Sequence, residues 1–198
     1  MTPHLFSDLG HFEPLLISTG IVALAEMGDK TQLLALVLAA RFRKPWPIIL
    51  GILAATLLNH GLAGALGAWL PGWLGPDRLR IGLGVSFLLM AAWTLIPDKL
   101  EDEPLSTRKG KLGIFGTTTV AFFLAEMGDK TQVATIALAA RFDAYFWVVA
   151  GTTIGMLLAN VPVVWLGERF AQRIPIRLVH AIAAGLFAVL GVVTLVKF

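Results

Sequence analysis

Two stretches of the chain carry the groups best suited to chemistry, and they are identical. Leu24-Ala25-Glu26-Met27-Gly28-Asp29-Lys30-Thr31-Gln32 returns as Leu124-Ala125-Glu126-Met127-Gly128-Asp129-Lys130-Thr131-Gln132, and Leu38-Ala39-Ala40-Arg41-Phe42 returns as Leu138-Ala139-Ala140-Arg141-Phe142 at the same offset. Each copy sets two carboxylates and a lysine inside an apolar run long enough to cross a bilayer. Ionisable groups at membrane depth are costly and mark a functional site by default. Carboxylate and amide oxygens, helped by backbone carbonyls and water, form the ligand set of hard divalent cations such as calcium, magnesium and manganese. The expected ligands are Glu26, Asp29, Gln32, Glu126, Asp129 and Gln132, supported by Lys30, Thr31, Lys130 and Thr131.

Charge counting points the same way. The four carboxylates bring four negative charges and the two lysines two positive ones. The remaining charge of minus two matches one divalent cation, or two protons, because burial favours the neutral form of a carboxylate. A site that alternates between a metal ion and protons is the simplest design for a cation/proton antiporter. The same spacing also allows a plain structural reading, since Glu26 and Lys30 stand at i and i+4 and would pair along one continuous helix. On such a helix Glu26, Asp29 and Lys30 share a face, while Met27 and Thr31 point elsewhere. Gly28 would permit a break, and carbonyls freed there would line a polar cavity.

Other polar groups lie at depth. Asn59 and His60 fall mid-span, and the repeat offset sets Asn160 opposite His60. They would complete a coordination shell, relay protons or join helices by hydrogen bonds. Met27 and Met127 offer soft thioethers, a role that ranks below packing.

The elements that must position these groups follow from hydropathy. The chain is 57% hydrophobic and only 15% charged, against roughly 25% charged in a soluble domain. It reads as an all-α integral membrane protein. A spanning helix needs about 20 mainly apolar residues, and six such runs are present: about 15–40, 46–70, 79–96, 112–140, 145–166 and 176–196. With no cysteine, disulfide frameworks and thiolate metal sites are excluded. The basic balance lacks the aromatic-basic patch of RNA binders, and the N-terminus lacks the basic start of a signal peptide.

Residues 1–96 form a first three-helix repeat and 112–198 a second, joined by a linker over 97–111 that carries Glu101, Asp102 and Glu103. Loops one, three and five hold ten Lys and Arg, and the termini with loops two and four hold four. The excess of basic residues stays in the cytoplasm, so the linker is expected inside and both termini outside. Three helices per half is an odd number, so the second half enters from the opposite side. The two motif helices then run antiparallel, in the inverted-repeat plan of many secondary transporters.

The doubled Glu-x-Gly-Asp-Lys-Thr, with each copy in a hydrophobic helix of a six-span duplicated chain, resembles the calcium/manganese cation antiporter family. That family includes Golgi manganese/calcium transporters and bacterial manganese exporters, and its hallmark matches here without departure. The resemblance implies transport of manganese or calcium in exchange for protons, with these ions as substrates and no prosthetic group. It also implies cation-binding roles for Glu26, Asp29, Glu126 and Asp129. The short loops resemble a bacterial member, which implies export across the inner membrane. Two other readings stay open: an exporter of a cationic amino acid, and an intramembrane lipid phosphatase. The second lacks arginines at depth and a histidine beside Thr31 or Thr131.

Overall fold

The structure is a computed structural model and describes residues 4–96, 113–167 and 175–197. Among these, eight helices and no strands are present: α1 His4–Glu26, α2 Lys30–Phe42, α3 Pro45–Trp69, α4 Pro71–Thr94, α5 Gly113–Glu126, α6 Lys130–Phe142, α7 Tyr145–Leu166 and α8 Ile176–Lys197. Three of them, Pro45–Trp69, Tyr145–Leu166 and Ile176–Val196, are long and apolar enough to cross a membrane, and Gly113–Glu126 is a shorter apolar helix. The expected linker over 97–111, with its acidic cluster, lies outside the described residues.

Two expected spans differ from the single helices that hydropathy suggests. The run over 15–40 is α1 and α2, and the run over 112–140 is α5 and α6. Both break at the motif for the same local reason. Gly28 and Gly128 adopt φ of +85° and +77°, a left-handed conformation that glycine tolerates without steric cost. Asp29 and Asp129 follow in extended conformation as the first caps of α2 and α6. Each aspartate amide still donates to the glutamate carbonyl three residues back, at 3.1 Å in both copies. The two short helices then close alike, with Arg43 and Asp143 left-handed and donating to the carbonyls of Ala39 and Ala139. The run expected over 79–96 falls in α4, which begins earlier, at Pro71, and is kinked at Gly75.

Packing joins the halves rather than separating them. α1 lies mainly on α7, and α3 mainly on α5, so each half lends a helix to the other. Glycines allow both approaches. A Cβ on Gly51 would stand 2.7 Å from the Thr118 Cβ, and one on Gly151 would stand 2.9 Å from the Ser18 Cβ. These are equivalent positions in the repeat, meeting equivalent partners. α4 and α8 form the other large contact, where Gly84 packs on Leu195, Gly191 packs on Leu88, and Phe87 stacks on Phe187 with centroids 6.5 Å apart. Tryptophans near helix ends pair with one another, as Trp46 does with Trp165 and Trp69 with Trp73. Their exposure suits anchoring at a membrane interface.

Close backbone approach makes the two crossing glycines intolerant of bulk. Gly151→Leu or Gly51→Leu should cost about 1–3 kcal/mol through overpacking, lowering the melting temperature in detergent by about 2–12 °C. Gly185→Ala meets no atom of the described residues within 4 Å and should leave it unchanged within about 2 °C.

Candidate metal centre

The two breaks bring the motif residues into one buried cluster. Glu26, Asp29, Glu126, Asp129, Lys130, Thr31 and Thr131 are all buried. The ion pairing runs between the copies, not along them. Lys130 Nζ lies 2.5 Å from Asp29 Oδ1, with both side chains fully buried. Lys30 Nζ lies 3.2 Å from Asp129 Oδ1, and the Lys30 side chain is 32% exposed. This replaces the pairing of Glu26 with Lys30 that a continuous helix would give. At the break the helix restarts on Lys30, so i,i+4 neighbourhood across Gly28 is lost and each lysine turns to the opposite copy.

The break also corrects the placement of the threonines. Thr31 does not point away from the carboxylates: its hydroxyl donates to Glu26 Oε2 at 2.7 Å. Thr131 does the same for Glu126 Oε2 at 3.2 Å. Each hydroxyl holds one oxygen of its glutamate, while Oε1 of Glu26 and of Glu126 and Oδ2 of Asp129 have no hydrogen-bond partner among the described residues. Glu26, Glu126 and Asp129 each offer a carboxylate oxygen within 4.8 Å of the others. A calcium ion holds its oxygens at about 2.3–2.6 Å, so a cation of that class fits among the three with little movement. Buried oxygens without partners carry a large desolvation cost, and an ion or protons would relieve it.

The glutamines support the breaks. Gln32 Oε1 accepts from the Gly28 amide at 3.0 Å, and Gln132 Oε1 from the Gly128 amide at 2.8 Å. Gln32 also donates to the Ala159 carbonyl on α7 at 3.0 Å. Asn59 donates to the Phe123 carbonyl at 3.0 Å, one turn before Glu126. Asn160 donates to the carbonyl and sulfur of Met156. The amide oxygens of both asparagines are buried and have no partner among the described residues. His60 is buried, and neither ring nitrogen has a hydrogen-bond partner there. It is not part of the carboxylate group that could hold an ion.

Two features escaped the sequence reading. Ser18 and Thr118 are buried hydroxyls that the offset of the repeat makes equivalent, a signal present in the sequence. His180 of α8 sets its Nε2 2.7 Å from the Met27 carbonyl oxygen. No local pattern marks it, because the repeat places Arg80 at the corresponding position.

The two ion pairs should differ in what they contribute. Removing one partner of a fully buried pair costs about 3–5 kcal/mol, and the 32% exposure of the Lys30 side chain lets screening lower the corresponding cost for its pair with the buried Asp129. Lys130→Gln should therefore lower the melting temperature well beyond Lys30→Gln, and equal falls would contradict the assigned burial.

Comparison with known proteins places the chain in a family. The sequence profile described as "Divalent cation/proton antiporter GDT1" matches residues 14–102 and 114–198. A Vibrio cholerae protein named "Putative manganese exporter" is 54% identical over 195 residues, covering 98% of this chain and 92% of its own. A GDT1-like protein of Synechocystis is 32% identical over 88% of this chain and 92% of its own. The Saccharomyces cerevisiae protein named "Divalent cation/proton antiporter GDT1" is 24% identical over 89% of this chain and 81% of its own. No solved structure matches the chain. The family is one of membrane transporters whose substrates are divalent cations and protons, which sets the enzyme reading aside. With both halves matched and more than half of its residues shared with the Vibrio relative, the chain belongs to the GDT1 family of divalent cation/proton antiporters.

Proposed function

We propose that this protein exports manganese across a bacterial plasma membrane in exchange for protons, using the cluster built from the two motifs. The observation that carries the reading is the group of three buried carboxylates, Glu26, Glu126 and Asp129, with oxygens within 4.8 Å of one another. Hard carboxylate oxygens suit manganese and calcium alike, and manganese is favoured by the name of the Vibrio relative. Asp29 completes the charge balance of the site. Gln32 and Gln132 hold the broken turns, Thr31 and Thr131 orient the glutamates, and Asn59, His60 and Asn160 supply the polar wall.

The exchange follows from electrostatics. With Asp29 and Asp129 paired to lysines, the uncompensated charge is the minus two of Glu26 and Glu126. Leaving two bare carboxylates in a dry interior is very costly. The loaded forms, one divalent cation or two protons, are both neutral and of similar cost. Transit is confined to those two forms, and this couples export of the metal to uptake of protons. The expected exchange is two protons per cation, with no net charge moved.

The frame proposed for this site is six membrane crossings in two inverted repeats, residues 1–96 and 112–198, with the linker over 97–111 in the cytoplasm and both termini outside. The letter-for-letter repeat, the odd number of spans per half and the ten-to-four excess of basic residues support it. An exporter of cationic amino acids is disfavoured by the family, whose substrates are divalent cations and protons.

Manganese flux into proteoliposomes under an imposed pH gradient tests the function. Wild type should exchange manganese for protons, and Glu126→Gln, checked as folded, should lose at least about tenfold of the flux. Clamping the membrane potential should leave the rate unchanged, and excess lysine or arginine should not compete. No manganese or calcium flux from folded wild type would reject the reading. For orientation, Asp8→Cys in this cysteine-free chain should react with an impermeant thiol reagent from outside only.

A further inference from the structure

The two copies of the motif are identical in sequence, yet their surroundings are unequal. At the first break the Ile176 side chain occupies the space beside Gly28, 2.8 Å from where its Cβ would be, and His180 is bound to the Met27 carbonyl. At the second break nothing among the described residues lies within 4 Å of a Cβ on Gly128, and Met127 is 56% exposed. Lys130 is sealed against Asp29, whereas solvent reaches Lys30 beside Asp129. The short helices differ too. α6 is buried along its length, with Ala134 and Ala137 packed in one core with Leu79 and Leu83 of α4. α2 buries one face only, and Leu36, Val37, Ala39 and Ala40 border an open cavity of about 500 Å³.

Sequence identity makes this inequality informative. Two copies with the same residues have the same intrinsic preferences, so an arrangement with their surroundings exchanged lies close in energy to the one seen. α4 and α8 supply the unequal covers, and they share a register. Phe87 stacks on Phe187, and Thr94 and Thr194 are both buried at the same offset. In that register Arg80 corresponds to His180 and Pro76 to Ile176.

The carboxylate group tracks the same asymmetry. Among the described residues it contains Asp129, whose lysine is 32% exposed, and not Asp29, whose lysine is fully buried. We propose that the pairs Lys130–Asp29 and Lys30–Asp129 are alternating gates. The sealed pair closes one entrance to Glu26 and Glu126, while the open pair lets its aspartate join them in taking the cation. In the exchanged state Lys30–Asp129 is sealed, Asp29 joins the glutamates, and the N-terminal end of α4 covers Met127 and Gly128 as α8 now covers Met27 and Gly28. This inference rests on the antiport reading and assigns the lysines a task in it. Each is a tethered cation that the transported ion displaces on one side at a time.

The absence of cysteine makes paired-cysteine cross-linking direct. The pair Met27→Cys with His180→Cys should cross-link in the arrangement seen, and Arg80→Cys with Met127→Cys in the exchanged one, using a short bifunctional thiol reagent on full-length protein in proteoliposomes. Each cross-link should cut manganese flux at least about tenfold, and a cleavable reagent should allow flux to be restored. Added to the Arg80/Met127 pair, Lys130→Gln and Lys30→Gln should shift the cross-linked fraction in opposite directions. The gating proposal is overturned if the Arg80/Met127 pair never cross-links in protein that transports, if the cross-linked Met27/His180 pair transports normally, or if both lysine variants shift the fraction the same way. Cross-linking of both pairs without any cation flux in wild type would instead reject the antiport reading and leave the exchange of states standing.

Discussion

Everything in this structure answers to one constraint: a charge removed from water must meet an opposite charge at short range. Four carboxylates and Lys130 are buried together, with Lys30 part-exposed beside them, and neither copy of the motif meets the constraint alone. Each lysine takes an aspartate from the other copy. The pairing thereby dictates that the two breaks face each other, and that α1 with α2 and α5 with α6 meet at their interrupted turns. Glycines at the crossings of α3 with α5 and of α7 with α1 then let the remaining helices close around them.

The interrupted turns are the second necessity. A continuous helix would point four successive polar residues in four directions, and at most half would reach the partner copy. Restarting the helix at Lys30 and Lys130 folds the threonines back onto the glutamates and aims the lysines across. The backbone disruption is itself compensated by Gln32 and Gln132, which accept from the amides of Gly28 and Gly128. The motif therefore supplies its own break, its own splint and its own charges within seven residues.

Much of this was legible in the sequence. The duplicated block, its carboxylates and its threonines and glutamines were evident from residue type alone, and α7 and α8 begin where hydropathy places them. The continuity of the first and fourth spans was misread, because apolar flanks carry the same signal whether or not a glycine between them turns left-handed. The ion pairing between the copies was not visible for a related reason. Local spacing favours Glu26 with Lys30, while the observed partners are a hundred residues apart and become neighbours only when α5 packs beside the first half. The carboxyls and hydroxyls stand out by residue type; their mutual geometry depends on tertiary contacts that no window of sequence contains.

The exchange of helices between the halves has a consequence for how such a molecule is made. α1 finds its main partner in α7 and α3 finds its own in α5, so the first half leaves the ribosome with its apolar crossings unmatched and Asp29 without Lys130. It cannot settle until the second half has been synthesised, and the late chain completes the early one rather than docking onto a finished unit. By the same logic, each half is the natural complement of a second copy of itself. A gene encoding only one half would have had to assemble its product in pairs, and fusion of two such genes would have turned a chance encounter into a certainty.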